Sequence, residues 1–398
     1  MRHTIASLRH GLTESLTPQE QAHSARLLQV IDVAIKEAGG WLDFQSFMNL
    51  ALYAPGLGYY SAGAHKLGEG GDFTTAPEIS PLFSRCVAMQ CTEVLRQLRK
   101  GSVLELGAGS GVMAVDMLRE FERMGCMPEC YYILEVSADL RARQQTLIQQ
   151  QLPQHLERVQ WLTELPDSFV GIIVANEVLD ALPVQRFCMQ QGIVQALGVA
   201  QGTSGLQWQL RPADEALTAA VQKIDRSLID AWPDVYCSEV NTQLPAWIRS
   251  VADCMQQGAV LLIDYGFPQA QYYSAERTNG TLSCFFRQRM HDDPLIKIGL
   301  QDITAWVDFT AVASAGLAAG MELEGFATQA HFLLGCGLDR LLADLSEQPD
   351  ATRWQHSQQV QKLTLPSEMG ESFKAMAFSK DCDLQLSGFA FRDLRDRL

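Results

Sequence analysis

The sequence predicts an α/β fold with a mostly parallel sheet, and three observations support this prediction. Short apolar segments recur along the chain and alternate with segments whose apolar residues have helical spacing. The segment 103–111, Val-Leu-Glu-Leu-Gly-Ala-Gly-Ser-Gly, is a short apolar run followed by glycine at every second position. Residues 112–118 then have helical spacing. The whole stretch therefore predicts the strand, tight turn and helix that open a nucleotide-binding sheet.

The first hundred residues predict three helices and one long irregular loop. Thr17-Pro18-Gln19-Glu20 is a capping box with proline at the first helical position, and it begins the first helix. The second helix is predicted over 44–53, and Ser80-Pro81 begin the third. The glycine-rich stretch 58–76 lies between them, and loops of this length are usually functional. We therefore predict an N-terminal helical region over residues 1–100, with a loop that covers the ligand-binding end of the sheet.

Residues 101–398 are predicted to form the sheet, its helices and one insert. Seven candidate strands lie at 103–106, 131–134, 159–162, 171–175, 259–263, 322–328 and 373–379. From 184 to 257 the pattern changes to short apolar runs with glycines as expected turn points, Gly198 among them, and a helical pattern over 214–231. We interpret 184–257 as an α+β insert beside the functional site. The segment 269–299 is expected to be a loop.

Composition excludes several classes of protein. The 398 residues, 47% of them hydrophobic, are enough for two or three domains with a large core. The net charge of −15 argues against nucleic acid as a partner. The most apolar stretch, 310–320, is far shorter than the roughly 20 residues that a membrane span needs, and residues 1–10 lack the apolar core of a signal peptide. We therefore expect a cytoplasmic protein that does not bind membranes.

The ten cysteines follow no metal-binding pattern, because no C-x-x-C pair is repeated and no histidines accompany them at ligand spacing. Cys126 and Cys130 are the closest candidate pair, but no second pair of ligands follows them. We expect reduced, mostly buried thiols and no metal site.

The glycine turn is the strongest functional motif. A dinucleotide fingerprint has the form G-x-G-x-x-G, and the Gly107-x-Gly109-x-Gly111 pattern is one residue too short for it. The preceding acid, Glu105, points to a different ligand, because E-x-G-x-G-x-G resembles motif I of class I S-adenosylmethionine methyltransferases. Glu135 ends the next strand, 24 residues after Gly111, about where an acid would meet two ribose hydroxyls.

S-adenosyl-L-methionine is therefore the expected cofactor. The motif resemblance implies that the glycine turn receives the methionine part of this cofactor, and the end of the second strand receives its ribose. The end of the third strand commonly meets the adenine in this fold, and the loop before the third helix is expected at the same edge of the sheet. The predicted cofactor-binding residues are Thr75, Pro77, Glu105, Gly107, Ala108, Gly109, Ser110, Gly111, Glu135, Val136 and Leu162.

Acidic residues follow the fourth and fifth strands, where methyltransferases of this class place the acceptor atom. Asn176, Glu177 and Asp180 come after the fourth strand, and Asp264 ends the fifth. Paired carboxylates can grip a guanidinium bidentately and stabilise its charge, so these four residues are the catalytic candidates. Glu177 and Asp180 are equally compatible with acids that favour a helix start, and Asp264 is equally compatible with a strand-end cap.

Three further residues are candidates for substrate contact. Phe73 and Tyr265 could wall the acceptor channel, although aromatic residues beside a cleft are more often packing residues. His291, which two aspartates follow, is a candidate general base near neutral pH, and the alternative is a loop histidine held by hydrogen bonds.

Taken together, these motifs resemble the MidA / NDUFAF7 (DUF185) family of class I methyltransferases, with a match over most of the chain. The resemblance implies a Rossmann-like fold with a seven-stranded, mostly parallel sheet. It rests on 58–60, 71–80, 104–111, 176–183, 264–266, 280–282, 291–294, 302–304, 307–310 and 368–370. Two positions depart from the family pattern: Trp306 stands where a histidine is usual, and Phe83-Ser84 stands where Phe-Gly is usual.

The mitochondrial branch of that family looks like a protein arginine methyltransferase that acts on a subunit of respiratory complex I during assembly. The resemblance implies that this chain methylates an arginine side chain of a protein partner. Methylation of a small molecule is one alternative, and an assembly factor that binds the cofactor without turnover is another. Methylation of a nucleobase is disfavoured, because 176–179, Asn-Glu-Val-Leu, lacks the two prolines and the aromatic residue associated with it. The oligomeric state stays open.

Overall fold

The central element of the computed structural model is an eight-stranded sheet, and the structure describes residues 16–62, 74–203, 205–344 and 350–398. Seven strands are numbered here in chain order, and the eighth, Val307–Asp308, pairs in parallel with the end of β5. They are β1 (Ser102–Leu106), β2 (Tyr131–Leu134), β3 (Val159–Leu162), β4 (Phe169–Asn176), β5 (Met255–Phe267), β6 (Glu322–Thr328) and β7 (Phe373–Lys380).

The strand order is β6-β7-β5-β4-β1-β2-β3, and only β7 runs antiparallel to its neighbours β5 and β6. This order confirms the predicted Rossmann-like sheet. The order reverses between β1 and β4, because successive strands are added first on one side of β1 and then on the other. In such sheets ligands bind outside the carboxyl ends of the strands at this point of reversal.

Helices cover both faces of the sheet, which explains why its inner strands are apolar without alternation. One face packs against Pro81–Leu98, Val112–Arg123 and, near the C-terminus, Gln329–Gly335. The other face packs against Leu244–Cys254 and Phe309–Ala318. The remaining helices of this part are Ala138–Gln151, Pro153–Arg158, Leu338–Asp344, Asp350–Thr364, Met369–Ser372, Ser387–Phe389 and Arg395–Arg397.

Two glycines allow the inner strands to approach closely at their amino ends. Gly171 of β4 has φ 143°, and a Cβ there would lie 1.9 Å from the carbonyl oxygen of Ser102. Gly258 of β5 pairs with Gly171, and its Cβ would lie 1.8 Å from the Gly171 oxygen. Side chains at either position would push β1, β4 and β5 apart.

The N-terminal helices form as predicted. Pro18–Glu37 begins at the capping box, with the Glu20 amide donating to Thr17 and the Thr17 amide donating back to Glu20. Phe44–Tyr53 begins at Asp43, whose carboxylate accepts the Ser46 amide. A one-turn helix, Ala76–Ile79, precedes the third predicted helix. The predicted boundaries at 1–100, 101–398 and 184–257 stay a prediction.

The segment predicted to contain hairpins forms a second, antiparallel sheet. Its strands are Leu42–Asp43, Gln185–Gln190, Ile193–Gly202, Gly205–Pro212 and Val235–Val240. The predicted helix over 214–231 is two helices, Glu215–Gln222 and Arg226–Ala231, because Asp225 caps the second one by accepting the Ser227 amide. Gly198 was expected in a turn, but it lies inside a strand. A Cβ at Gly198 would lie 2.4 Å from the Leu42 oxygen, so glycine admits the Leu42–Asp43 strand.

Two further expectations were wrong. Cys188 and Cys237 form a disulfide, because the antiparallel register of Gln185–Gln190 and Val235–Val240 places them opposite each other. The other eight cysteines are free. The expected loop over 269–299 contains the helix Gln269–Tyr272 and most of a three-stranded sheet, Ser283–Phe286, Arg289–His291 and Asp302–Thr304. Within the described ranges, no helix has the length and hydropathy to cross a membrane.

Candidate active site

A cavity of about 610 Å³ opens at the carboxyl ends of β1, β2 and β4, within the size range of small-molecule sites. Tyr60 and Thr75, from the N-terminal region, are among its lining residues. Most predicted site residues meet in this cavity, namely Thr75, Pro77, Glu105, Gly107, Ala108, Gly109, Ser110, Glu135, Val136, Asn176 and Glu177.

The glycine turn forms the floor of the cavity with backbone angles that suit glycine. Gly107, Gly109 and Gly111 have φ values of 66°, 54° and 86°. A Cβ at Gly107 would also come within 3.3 Å of the Val178 side chain. Gly111 does not line the cavity; it is the N-cap of Val112–Arg123, and its Cβ would lie 3.1 Å from Cγ of Gln144. Gly111 therefore allows the turn to pack against the helix that carries Gln144.

Two buried carboxylates lie at the ends of β1 and β2. Glu105 accepts a hydrogen bond from the Tyr131 hydroxyl at 2.7 Å, and burial raises the pKa of Glu105 to about 7. The Oε1 atom of Glu135 accepts the Ser137 amide at 3.0 Å, and burial raises the pKa of Glu135. The Glu135 carboxylate is thereby held at the cavity with lone pairs left to accept hydroxyl groups.

Gln144 supports this half of the cavity, and sequence reasoning missed it. Its side-chain amide donates to the Gly109 carbonyl oxygen at 2.9 Å and to Oε2 of Glu135 at 3.2 Å. The Trp161 indole in turn donates to Oε1 of Gln144 at 3.0 Å. Gln144 is fully buried, although most of its helix, Ala138–Gln151, is not. No local pattern marks this residue, because its partners lie 35, 9 and 17 residues away.

Asn176 and Glu177 line the cavity at the end of β4. Glu177 has φ 53°, a left-handed conformation that is uncommon for a residue with a side chain. Its Oε1 atom accepts the Ala76 amide at 3.3 Å and the Asn176 side-chain amide at 3.2 Å. Burial, reinforced by Asp180, raises the pKa of Glu177 to about 8. The buried Oδ1 atom of Asn176 has no hydrogen-bond partner within the described part of the chain.

Asp264 holds the turn that carries Glu177. Its Oδ2 atom accepts the backbone amides of Val178, Leu179 and Asp180 at 3.1, 2.8 and 3.3 Å. Asp180 is buried behind the turn, where burial and the Asp264 charge raise its pKa. Neither carboxylate lines the cavity. Their positions suit support of Glu177 better than contact with a ligand.

The remaining predicted residues that the structure describes lie outside the cavity lining. Leu162 ends β3, and Leu165 lines the cavity in its vicinity. Tyr265 packs against Trp306 and Phe373, with ring centroids 6.4 and 5.5 Å away. His291 belongs to the three-stranded sheet, where burial lowers its pKa. Phe73 falls outside the described residues.

Sequence reasoning also missed several cavity residues from distant parts of the chain. Tyr53 and Tyr60 come from the N-terminal region, and Trp247 comes from the helix Leu244–Cys254. Gly58-Tyr59-Tyr60 was part of the family resemblance, so this motif could have indicated Tyr60. Tyr53 and Trp247 had no such signal.

Comparison with known families decides the assignment. Residues 86–327 match the model of a family described as "Putative S-adenosyl-L-methionine-dependent methyltransferase". The chain belongs to this family. As a family member it is an S-adenosylmethionine-dependent methyltransferase, and the resemblance to the MidA / NDUFAF7 proteins is confirmed. The glycine turn and the acids at the ends of β1 and β2 are the parts of the cavity that suit this cofactor.

Solved structures and curated relatives agree with the assignment. A COG1565 superfamily protein from Burkholderia thailandensis, solved with S-adenosyl-homocysteine bound, is 38% identical, with a TM-score of 0.92. That comparison covers 97% of this chain and 100% of the other. The mouse protein named protein arginine methyltransferase NDUFAF7, mitochondrial, is 28% identical over 90% of this chain and 86% of its own length. The human protein of the same name is also 28% identical, over 88% of this chain and 82% of its own length.

Proposed function

We propose that this methyltransferase acts on an arginine side chain of a protein substrate. The observation that carries the proposal is that Asn176 and Glu177 both line the cavity at the end of β4, with their side chains hydrogen-bonded to each other and the Asn176 oxygen without a partner among the described residues. A guanidinium presents several N–H donors in one plane, and such donors match a carboxylate and an amide oxygen side by side. The names of the mouse and human relatives support the same substrate class.

The cofactor half of the cavity fits S-adenosylmethionine in its donor and acceptor groups. Glu135 offers carboxylate oxygens to the ribose hydroxyls, and Glu105 offers a buried carboxylate for the amino group. The backbone of 107–110 allows close approach by a ligand, because Gly107 and Gly109 carry no side chain. When bound, this cofactor supplies a methyl group on a positively charged sulfur.

The acceptor half has to orient a nitrogen and remove one proton from it. Asn176 and Glu177 fix the guanidinium plane through hydrogen bonds, which orients one nitrogen toward the cofactor half. That nitrogen loses a proton as it gains the methyl group, and the Glu177 carboxylate accepts the proton. A pKa of about 8 makes this carboxylate a stronger base than an exposed glutamate, and the protonated form can release the proton near neutral pH.

The test is tritium transfer from labelled S-adenosylmethionine into a lysate of a strain that lacks this protein. Purified protein is added, labelled bands are hydrolysed in acid, and the labelled amino acid is identified. The proposal expects methylarginine with wild-type protein and none with Glu177→Gln. Label in another amino acid or in a small molecule would refute the arginine assignment.

A further inference from the structure

Two tyrosines from the N-terminal region line the cavity together. Tyr53 is the last residue of Phe44–Tyr53, and Tyr60 follows the turn after this helix. Their rings stack with centroids 5.5 Å apart and an interplanar angle of 22°. Tyr60 also meets the fully buried Tyr59 edge-on at 5.1 Å. Backbone bonds from Tyr59 to Ala51 and from Tyr60 to Leu52 fix this arrangement, so the rings form a rigid surface.

The tyrosine hydroxyls attach this surface to the acceptor half of the site. The Tyr53 hydroxyl donates to the Ala181 carbonyl oxygen at 2.9 Å, on the same turn that carries Glu177. The Tyr60 hydroxyl donates at 2.9 Å to Oδ1 of Asp302, the first residue of the strand Asp302–Thr304. Burial raises the pKa of both phenols, so both remain protonated donors. The glycine turn follows β1, which pairs with β4, and Glu135 follows β2, the next strand in the sheet.

We infer that Tyr53 and Tyr60 form the aromatic wall of the acceptor subsite and select a planar guanidinium over an ammonium group. The inference rests on the proposed function and deepens it. A guanidinium is flat and weakly hydrated, so it can lie against an aromatic face while its edge bonds Asn176 and Glu177. An ammonium group is compact and strongly hydrated, and it has no flat face to stack. The Glu177 carboxylate and the Asn176 amide alone would attract both cations.

The test measures binding of two small probes to protein saturated with S-adenosyl-homocysteine. Methylguanidinium and methylammonium are titrated by calorimetry into wild type, Tyr60→Leu, Tyr60→Phe and Tyr53→Leu. Wild type is expected to bind methylguanidinium about tenfold more tightly than methylammonium, since a desolvated cation–π contact supplies at least that factor. The leucine variants lose this preference, and Tyr60→Phe keeps it because the ring remains. Phe391→Leu is the matched control and keeps the preference, because Phe391 is an exposed aromatic residue outside the cavity lining.

Affinity for S-adenosyl-homocysteine shows whether each variant is folded. Normal cofactor affinity with an unchanged preference in Tyr60→Leu or Tyr53→Leu would overturn the inference, as would a wild type without preference. A second measurement needs no variant: the methyl proton resonance of methylguanidinium should move upfield on binding, because an aromatic face shields it. A bound resonance without that shift also overturns the inference.

Failure of the proposed function gives a different pattern. The lysate could yield no methylarginine while the probe preference and its loss in Tyr60→Leu are observed. That result would support the aromatic wall and refute the proposal that the substrate is a protein arginine. If methylarginine is found but the two probes bind equally well, the role of Tyr53 and Tyr60 is refuted and the proposed arginine methylation is supported.

Discussion

The side-chain amide of Gln144 donates a hydrogen bond to the carboxylate of Glu135 at 3.2 Å. The same amide nitrogen lies 2.9 Å from the Gly109 carbonyl oxygen, so one buried residue joins the glycine turn to the acid at the end of β2. In the proposed cofactor site these two elements receive the methionine and ribose parts of the cofactor, so their spacing has to match the distance between those parts. Gln144 fixes this spacing from outside the cavity lining.

We predict that Gln144→Ala weakens S-adenosylmethionine binding about tenfold, the effect of losing one hydrogen bond to a charged group. Calorimetry measures the change. Gln151→Ala is the matched control, because Gln151 lies on the same helix and its side chain accepts a hydrogen bond from Arg119 at the surface. Equal affinities for the two variants would show that Gln144 does not position Glu135.

The cofactor half could be predicted from sequence because its parts are local. Gly107, Gly109 and Glu105 fall within one strand and turn, and Glu135 ends the next strand at the expected distance. The acceptor half depends on contacts between distant segments. Tyr53 meets Ala181 across 128 residues and Tyr60 meets Asp302 across 242, and no local pattern reports such contacts.

Gly107→Val is predicted to abolish cofactor binding without unfolding the chain. A valine at φ 66° is strained, and its side chain would enter the cavity against Val178. Gly125→Val is the control for strain alone, since Gly125 has φ 61° with no atom near its Cβ position. Calorimetry should find no binding for the first variant and wild-type affinity for the second. Binding by Gly107→Val would remove the glycine turn from the cofactor site.

Glu135→Ala should also abolish cofactor binding, because it removes the proposed acceptor for the ribose hydroxyls and one of the acceptors of the Gln144 amide. Glu129→Ala, which removes an exposed acid just before β2, serves as the control. The thermal midpoint of each variant separates lost binding from lost folding. Wild-type affinity in Glu135→Ala would contradict the assignment of this acid.

The core fold was predictable where a pattern is confined to one element. The buried strands β4 and β5 and the caps at Thr17 and Asp43 are of this kind. The register of a strand, in contrast, cannot be predicted from a pattern within one element. The Cys188–Cys237 disulfide and the place of Gly198 inside a strand both follow from pairing between separate segments. The short strands of the three-stranded sheet carry too few residues for a periodic pattern.

A buried ion pair fixes the antiparallel sheet to the segment 279–281. Arg186 and Glu239 lie 3.1 Å apart on paired strands, both nearly inaccessible to solvent. Arg186 also donates to Asn279, and Glu239 accepts the Thr281 amide. A Cβ at Gly280 would lie 2.2 Å from Oε2 of Glu239, so glycine is required at this contact.

We predict that Arg186→Met lowers the free energy of unfolding by about 3–5 kcal/mol, because it leaves the Glu239 carboxylate buried without its cation. Urea unfolding measures the loss. Arg186→Met/Glu239→Gln should recover part of it, since the second change removes the unpaired charge. Arg226→Met, which breaks an exposed pair with Asp230, should change stability by less than about 1 kcal/mol. A loss of stability in the double variant equal to the sum of the losses in Arg186→Met and Glu239→Gln would refute the coupling of Arg186 and Glu239.

The raised pKa of Glu177 predicts how methyl transfer depends on pH. Burial and Asp180 favour the protonated form, so the carboxylate that accepts a proton from the substrate becomes populated only as pH rises toward about 8. The ratio kcat/KM should therefore rise about tenfold per pH unit below this value and level off above it. The measurement uses the methylated protein found in the lysate, over about pH 6 to pH 9.

Glu129→Gln should keep this profile, whereas Glu177→Gln should bind the cofactor normally and lose transfer by a factor of at least about 100. A wild-type profile that is flat across this range, or an unimpaired rate in Glu177→Gln, would exclude Glu177 as the base.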